Sequence, residues 1–317
     1  MIILLVMDTK SILWEIYKNP VRTAVEYNIK SMFEKQDIIN GALFYTLCLD
    51  KALEPTLEYN KRMRPFLIWL SSNAAWLEQN EIFGKLATVV ELIHQSTLPA
   101  DDIQDNSEIR CWRLSLWKKV WINTTIDLIL LLAASGPTYY AKILWEDKSW
   151  KLHDYSDFLQ KTLISLVCWQ ELDLSADESK RSIDDYYKIV DWKTWALINL
   201  SLHFWIMPYE DLYSQEKSKT LTEFSNHFAR LYQVMDDLKD IKDAEKRKEW
   251  AKLDPSNIYY YVDQDLKKIE DLREDLHKKL LNSYNELKEL WIVKNDCIFD
   301  VIRILVSEII FKKEFAT

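Results

Sequence analysis

The sequence predicts an all-α protein, a single large helical bundle whose ligands are held between facing helices. Three observations carry that expectation. Apolar residues recur three and four apart over segments of helical length, and strand-like alternation is scarce. Only three glycines and seven prolines interrupt 317 residues. Two acidic clusters of one shape, Asp101-Asp102-Ile103-Gln104-Asp105 and Asp236-Asp237-Leu238-Lys239-Asp240, both lie within helical patterns. On a helix, carboxylates at i and i+4 share a face, roughly 6 Å apart at Cβ.

The segments follow in order. Met1 to Met7 is apolar but too short to span a bilayer, and it lacks the basic leader of a secretory signal. No other stretch reaches an uninterrupted transmembrane length. Breaks are expected at Asn19-Pro20, Glu54-Pro55, Gly136-Pro137, Lys148 to Lys151, Met207-Pro208 and Asp254-Pro255. Between them, Lys61-Arg62-Met63-Arg64-Pro65 forms a basic cluster, and His94 lies on an apolar helical face seven residues before Asp101. Near the end, Ile269, Leu272, Leu276, Ser283, Leu287 and Leu290 make one helical stripe among charges. That stripe suits either a surface helix packed on the domain or a dimer-forming coiled coil. No linker sets the segment apart, so one domain over 1–317 is expected.

Composition narrows the function. The chain carries 41 basic and 50 acidic residues, a net charge of −9, which argues against general nucleic-acid binding. Cys48, Cys111, Cys168 and Cys297 show no metal or disulfide spacing and read as reduced thiols of a cytosolic protein. The remaining histidines lack paired ligand spacing, and neither a Gly-rich phosphate loop nor a serine elbow is present. The acidic clusters suit Mg²⁺, which commonly takes one or two carboxylates plus substrate phosphates. Two such faces opposed across a cavity would leave a gap fit for a diphosphate.

The motifs stand in a recognisable order. Lys61 to Pro65 is followed by Glu91-Leu92-Ile93-His94, then Asp101 to Arg110, then Gln170-Glu171-Leu172-Asp173-Leu174, Lys193-Thr194, and Tyr232-Gln233-Val234-Met235-Asp236-Asp237. This set resembles the trans-isoprenyl diphosphate synthases, over about positions 50 to 245. The resemblance implies the isoprenoid synthase type of fold, a cytoplasmic homodimer, and Mg²⁺-dependent condensation of an allylic diphosphate with isopentenyl diphosphate. It implies metal binding at Asp101, Asp105 and Asp236, with Asp102, Asp237 and Asp240 as ligands or immediately behind them. Arg110 and Lys193 would supply positive charge, and Thr194 and Gln233 polar contacts. Lys61, Arg64 and His94 would hold isopentenyl diphosphate, with Gln170 and Asp173 in a buried polar network behind. Thr97 and Ser96, four and five residues before the first cluster, are small. In that family they would leave room for products of about twenty carbons or longer.

Two other readings belong to different classes. A noncatalytic partner subunit would be expected to lose metal ligands, yet both acidic clusters are complete. A terpene cyclase would not need the Lys61, Arg64 and His94 cradle.

The chain also departs from the pattern. Cys111-Trp112 replaces a second arginine and a glycine, Tyr59-Asn60 replaces a glycine pair, and Pro99 precedes the first metal face, where it would kink a helix. A lysine beyond the second cluster has only Lys248 and Lys252 as candidates. Tryptophan is abundant, 14 residues. Trp112, Trp121 and Trp169 stand where the family carries glycine, and Trp195 where it carries a small residue. Either the protein is genuinely Trp-rich, or UGA codons that its source reads as glycine have been written as tryptophan. Indoles at such points would be crowded or displaced.

Overall fold

The computed structural model describes residues 20–33, 40–46, 63–74, 81–110, 113–147, 156–175, 182–204, 214–247 and 256–290. Within these, all regular structure is helical except one two-stranded hairpin. Contacts gather the chain into two compact units. One takes in Lys10–Asn73 and Glu78–His153; the other is built mainly from Asp154–Thr317.

The first unit is built on α4 (Glu81–Gln104), against which α1 (Pro20–Phe33) and α6 (Ile122–Asp147) pack. Shorter helices α2 (Asn40–Thr46), α3 (Met63–Ala74) and α5 (Leu116–Val120) complete it. The α1 helix begins at Pro20, the first helical position, where a missing N–H costs nothing. Close helix approach explains two glycines. A Cβ on Gly84 would stand 2.7 Å from that of Ala24 on α1, and one on Gly136 would stand 2.8 Å from Ile93 on α4. Gly136-Pro137 is therefore no break: both lie inside α6, because Gly136 is spent on packing rather than on a turn.

The inner stripe of α6 is Thr125, Leu128, Leu132, Gly136, Tyr140 and Ile143, all buried, the period of a helix with one core face. Its other side leaves Ile122, Ile126 and Leu130 exposed. By length and composition alone α6 is apolar enough to cross a membrane, which the sequence reading did not expect. Pro99 likewise lies within α4. Nearby, the Ser96 and Thr97 hydroxyls donate to the Ile93 and His94 carbonyls at 2.7 and 2.9 Å, a local bonding that tends to bend helices.

The second unit is built on α10 (Gln215–Arg247), with α7 (Ser156–Ser175), α8 (Ile183–Val190), α9 (Ala196–Phe204) and α11 (Leu266–Glu289). Ser182 and Asp185 form a reciprocal capping box that starts α8. The α11 helix buries Ile269, Leu276, Leu280, Ser283, Tyr284 and Leu287 and packs against α10. The C-terminal stripe thus belongs to a surface helix docked on its own unit.

Candidate functional site

The first acidic cluster ends α4. Asp101 and Asp102 occupy its last turn and are buried; Asp105 is exposed in the turn beyond Gln104. The expected helical position of Asp105 is thus one step past the helix end. Its N–H still donates to the Asp101 carbonyl at 2.9 Å, so helical spacing persists for that one bond. Asn106 closes the helix at φ 51°, a left-handed cap that asparagine tolerates. Ser107 N–H then returns to the Asp102 carbonyl at 2.9 Å.

Strands β1 (Ile109–Arg110) and β2 (Arg113–Leu114) form an antiparallel pair with Arg110 opposite Arg113. The hairpin brings Arg110 back to the helix end, where its Nε donates to Asp102 Oδ1 at 2.8 Å. Burial pushes the Asp102 carboxyl above the usual carboxylate range, and Arg110 opposes that shift. Arg113 lies over the Tyr45 ring, 4.3 Å from its centroid, and donates to the Tyr45 carbonyl at 2.7 Å.

Two turns earlier on α4, His94 meets Arg64 of α3. The guanidinium Nη1 lies 2.7 Å from His94 Nε2. A guanidinium only donates, so this nitrogen accepts and the imidazole proton sits on Nδ1. Residues thirty positions apart are thereby joined at one place. Lys61, Cys111 and Trp112 lie outside the described residues.

In the second unit, the other cluster sits mid-helix on α10 and its carboxylates differ sharply. Asp236 is half-buried, with Lys239 Nζ at 3.8 Å, and Asp240 is exposed. Asp237 turns inward. Its Oδ2 accepts from Tyr186 Oη at 3.0 Å and from the Ile258 N–H at 2.7 Å, and its Oδ1 accepts from Gln233 Nε2 at 2.9 Å. Burial nevertheless pushes its carboxyl up to about 7. Gln233 Oε1 in turn accepts from Thr194 Oγ1 at 3.0 Å, so Thr194, Gln233 and Asp237 form one chain of hydrogen bonds.

Thr194 reaches Gln233 from a π-helical turn, Asp191–Trp195, between α8 and α9. Such turns are rare and frequent at functional sites. Arg230 anchors this one, donating to both Asp191 oxygens at 2.8 and 2.6 Å. Trp195 Nε1 donates to Ser225 Oγ at 2.8 Å, so its indole nitrogen is satisfied. The side chains of Trp169, Gln170, Asp173 and Lys193 lie outside the described residues. Tyr186, Ile258, Asp191 and Arg230 were not singled out from the sequence. An aromatic in an amphipathic helix and a backbone N–H carry no motif signal.

The donor chemistry of each unit fits a hard cation. Asp101 and Asp105 in one, and Asp236 and Asp240 in the other, offer carboxylate oxygens, the ligands Mg²⁺ prefers. Among the described residues, no group of three or more His, Cys, Asp or Glu side chains stands at metal-holding spacing. Water or substrate oxygens would therefore have to complete any coordination shell.

Residues 48–252 match the family described as polyprenyl synthetase. The chain belongs to the polyprenyl synthetase family. It is 24% identical over 198 residues to a short chain isoprenyl diphosphate synthase of Methanocaldococcus jannaschii, covering 59% of this chain and 55% of that protein. It is 27% identical over 183 residues to an all-trans-nonaprenyl-diphosphate synthase of Rhodobacter capsulatus, covering 57% and 53%. The chain thus spans about half the length of these two relatives. A crystal structure of a geranyltransferase from Legionella pneumophila shares the fold, with a TM-score of 0.74 at 16% identity, over 98% of this chain and 99% of the other. The expected isoprenoid synthase type of all-α fold is thereby found.

Proposed function

We propose that this polyprenyl synthetase family member condenses an allylic diphosphate with isopentenyl diphosphate, releasing pyrophosphate and giving a trans-prenyl diphosphate. One observation carries the reading: α4 presents two chemically opposite places along one side. The Arg64–His94 pair is a cationic place suited to an anion, and Asp101 lies seven residues on. Seven residues are close to two helical turns, about 10 Å along the axis, so two groups of opposite demand fit side by side. Mg²⁺, held by Asp101 and Asp105 and separately by Asp236 and Asp240, would act as a Lewis acid that neutralises charge growing on a leaving diphosphate. Arg64 can grip phosphate oxygens through paired hydrogen bonds, while His94 fixes the guanidinium. Thr194 and Gln233 orient each other through their bond, so a polar contact is preset.

The test is pyrophosphate release in Mg²⁺ with an allylic primer, with and without isopentenyl diphosphate. Release that depends on both substrates is expected. Release without isopentenyl diphosphate would indicate a cyclase, and none at all a noncatalytic subunit.

The proposed product has twenty carbons or more. Support comes from Ser96, buried on α4, whose small side chain leaves its volume to the chain below. Ser96→Phe is expected to shorten the products, read by chromatography of the dephosphorylated alcohols. A wild-type chain that stops at fifteen carbons would overturn this length assignment.

The proposed assembly is a homodimer. The exposed Ile122, Ile126 and Leu130 stripe on α6 supports it, since apolar residues at i, i+4 and i+8 form a face a second copy could cover. Leu130→Glu should shift the species seen by sedimentation from dimer to monomer. A monomeric wild type would overturn the assembly.

A further inference from the structure

Fourteen tryptophans and three glycines stand in this chain, where a globular protein of this length carries roughly 22 glycines. The structure gives that imbalance a location. Trp121 joins α5 to α6 with φ 80° and ψ 148°. At positive φ with extended ψ a Cβ collides with its own backbone, and that region is essentially reserved for glycine. The other described non-glycine residues at positive φ are Asn106, Asp263 and Gln264, at 51°, 56° and 62°. All three are polar and lie in turns, and their φ values are near the left-handed helical region that L residues visit. Among the described residues, no glycine has positive φ. A bulky aromatic thus occupies the backbone conformation that asks most strongly for glycine.

The indole brings little to offset that strain, the residue being 82% exposed. Trp117, four residues earlier, is the contrast. It is half-buried, its Nε1 donates to the Ser107 carbonyl at 2.9 Å, and Lys118 Nζ lies 4.4 Å from its ring centroid. Trp117 behaves as a tryptophan selected for its side chain. Gly84 and Gly136 are the complementary case, glycines kept where helices touch.

We infer that position 121 is glycine in the protein as its source makes it, and that the tryptophan written there is a UGA codon read with the wrong assignment. UGA lies one base from the glycine codon GGA and one base from the tryptophan codon UGG. A source that reads UGA as glycine would therefore yield this double signature, glycine depleted and tryptophan in excess. The backbone needs no change to accept the correction. Glycine enters the observed angles without strain and gives up little buried surface, since the residue there is 82% exposed.

The gene and the source protein test this directly. UGA is expected at position 121, UGG at position 117, and GGN codons at Gly84 and Gly136. The tryptic peptide Val120–Lys142, from protein purified from the source, should have the mass given by glycine at 121. UGG at that position, or tryptophan in that peptide, overturns the inference. A second measurement isolates the backbone. In protein made with the present sequence, Trp121→Gly should raise the melting temperature by about 2–8 °C, the range that relief of one strained residue gives. Trp121→Ala keeps the offending Cβ and should not match that gain. Equal midpoints for all three proteins would also overturn it.

Discussion

Asp101→Asn and Asp236→Asn are each expected to lower turnover in Mg²⁺ by on the order of 10²–10³-fold, the usual cost of removing one preset group that stabilises developing charge. The melting temperature should move by only a degree or two. Asparagine keeps the shape and one acceptor oxygen but loses the charge that would hold a hard cation. The backbone around each carboxylate is held by other bonds, so the shape that asparagine keeps is expected to preserve the fold. Asp236 is half-buried, and its ion pair with Lys239 at 3.8 Å is an arrangement worth little in stability. The turn after Asp101 is closed by the backbone bonds of Asp105 and Ser107. Steady-state turnover and thermal melts of the two variants check this. If both kept turnover within threefold of the parent, the carboxylates would have no metal role and the proposed chemistry would fail.

Much of this was legible in the chain because helices convert sequence spacing directly into geometry. His94 and Asp101 are seven apart, so they share a side of α4 in any helix that contains both. Thr194 and Gln233 stand on different helices; their motif context assigns both to one diphosphate, and the structure joins them at 3.0 Å. Arg64 and His94 are likewise assigned to one substrate, and they stand 2.7 Å apart. What stayed hidden depends on tertiary neighbours. Gly136-Pro137 reads as a break, yet Gly136 is required inside α6 by the Ile93 side chain opposite it. Asp105 reads as helical, but Asn106 ends the helix first by taking a left-handed conformation. The π-turn at Asp191–Trp195 has no sequence signature, since it depends on Arg230 clamping Asp191 from another helix. Asp236 and Asp237 are identical letters side by side. Only the azimuth of α10 decides that one faces outward and the other inward.

That difference sets the largest expected effect on stability. Asp237→Ala should destabilise the chain by about 3–5 kcal/mol, because it strands several buried donors at once, each costing about 1–3 kcal/mol. They are the Tyr186 hydroxyl, the Ile258 N–H and the Gln233 amide. At this chain length the melting temperature should fall by roughly 10 °C. Asp237→Asn keeps an oxygen for Tyr186 and Ile258 and should cost about 1 kcal/mol. Tyr186→Phe should cost a similar amount, since it leaves one acceptor short of one bond. The pH dependence follows with a definite sign. Burial holds the folded carboxyl at about 7, against 3.8 for the ordinary group. Between about pH 4 and pH 7 the unfolded chain releases this proton first, so the folded chain binds more protons and its stability falls as pH rises. Above pH 7 both states are ionised and the contribution is flat. Asp237→Asn should remove that slope in buffer without divalent cations, measured by denaturant unfolding at several pH values. An Asp237→Ala chain that melts with the parent in the absence of Mg²⁺ would show that the carboxylate is no anchor. Asp237 would then join Asp236 among the carboxylates proposed to serve a metal.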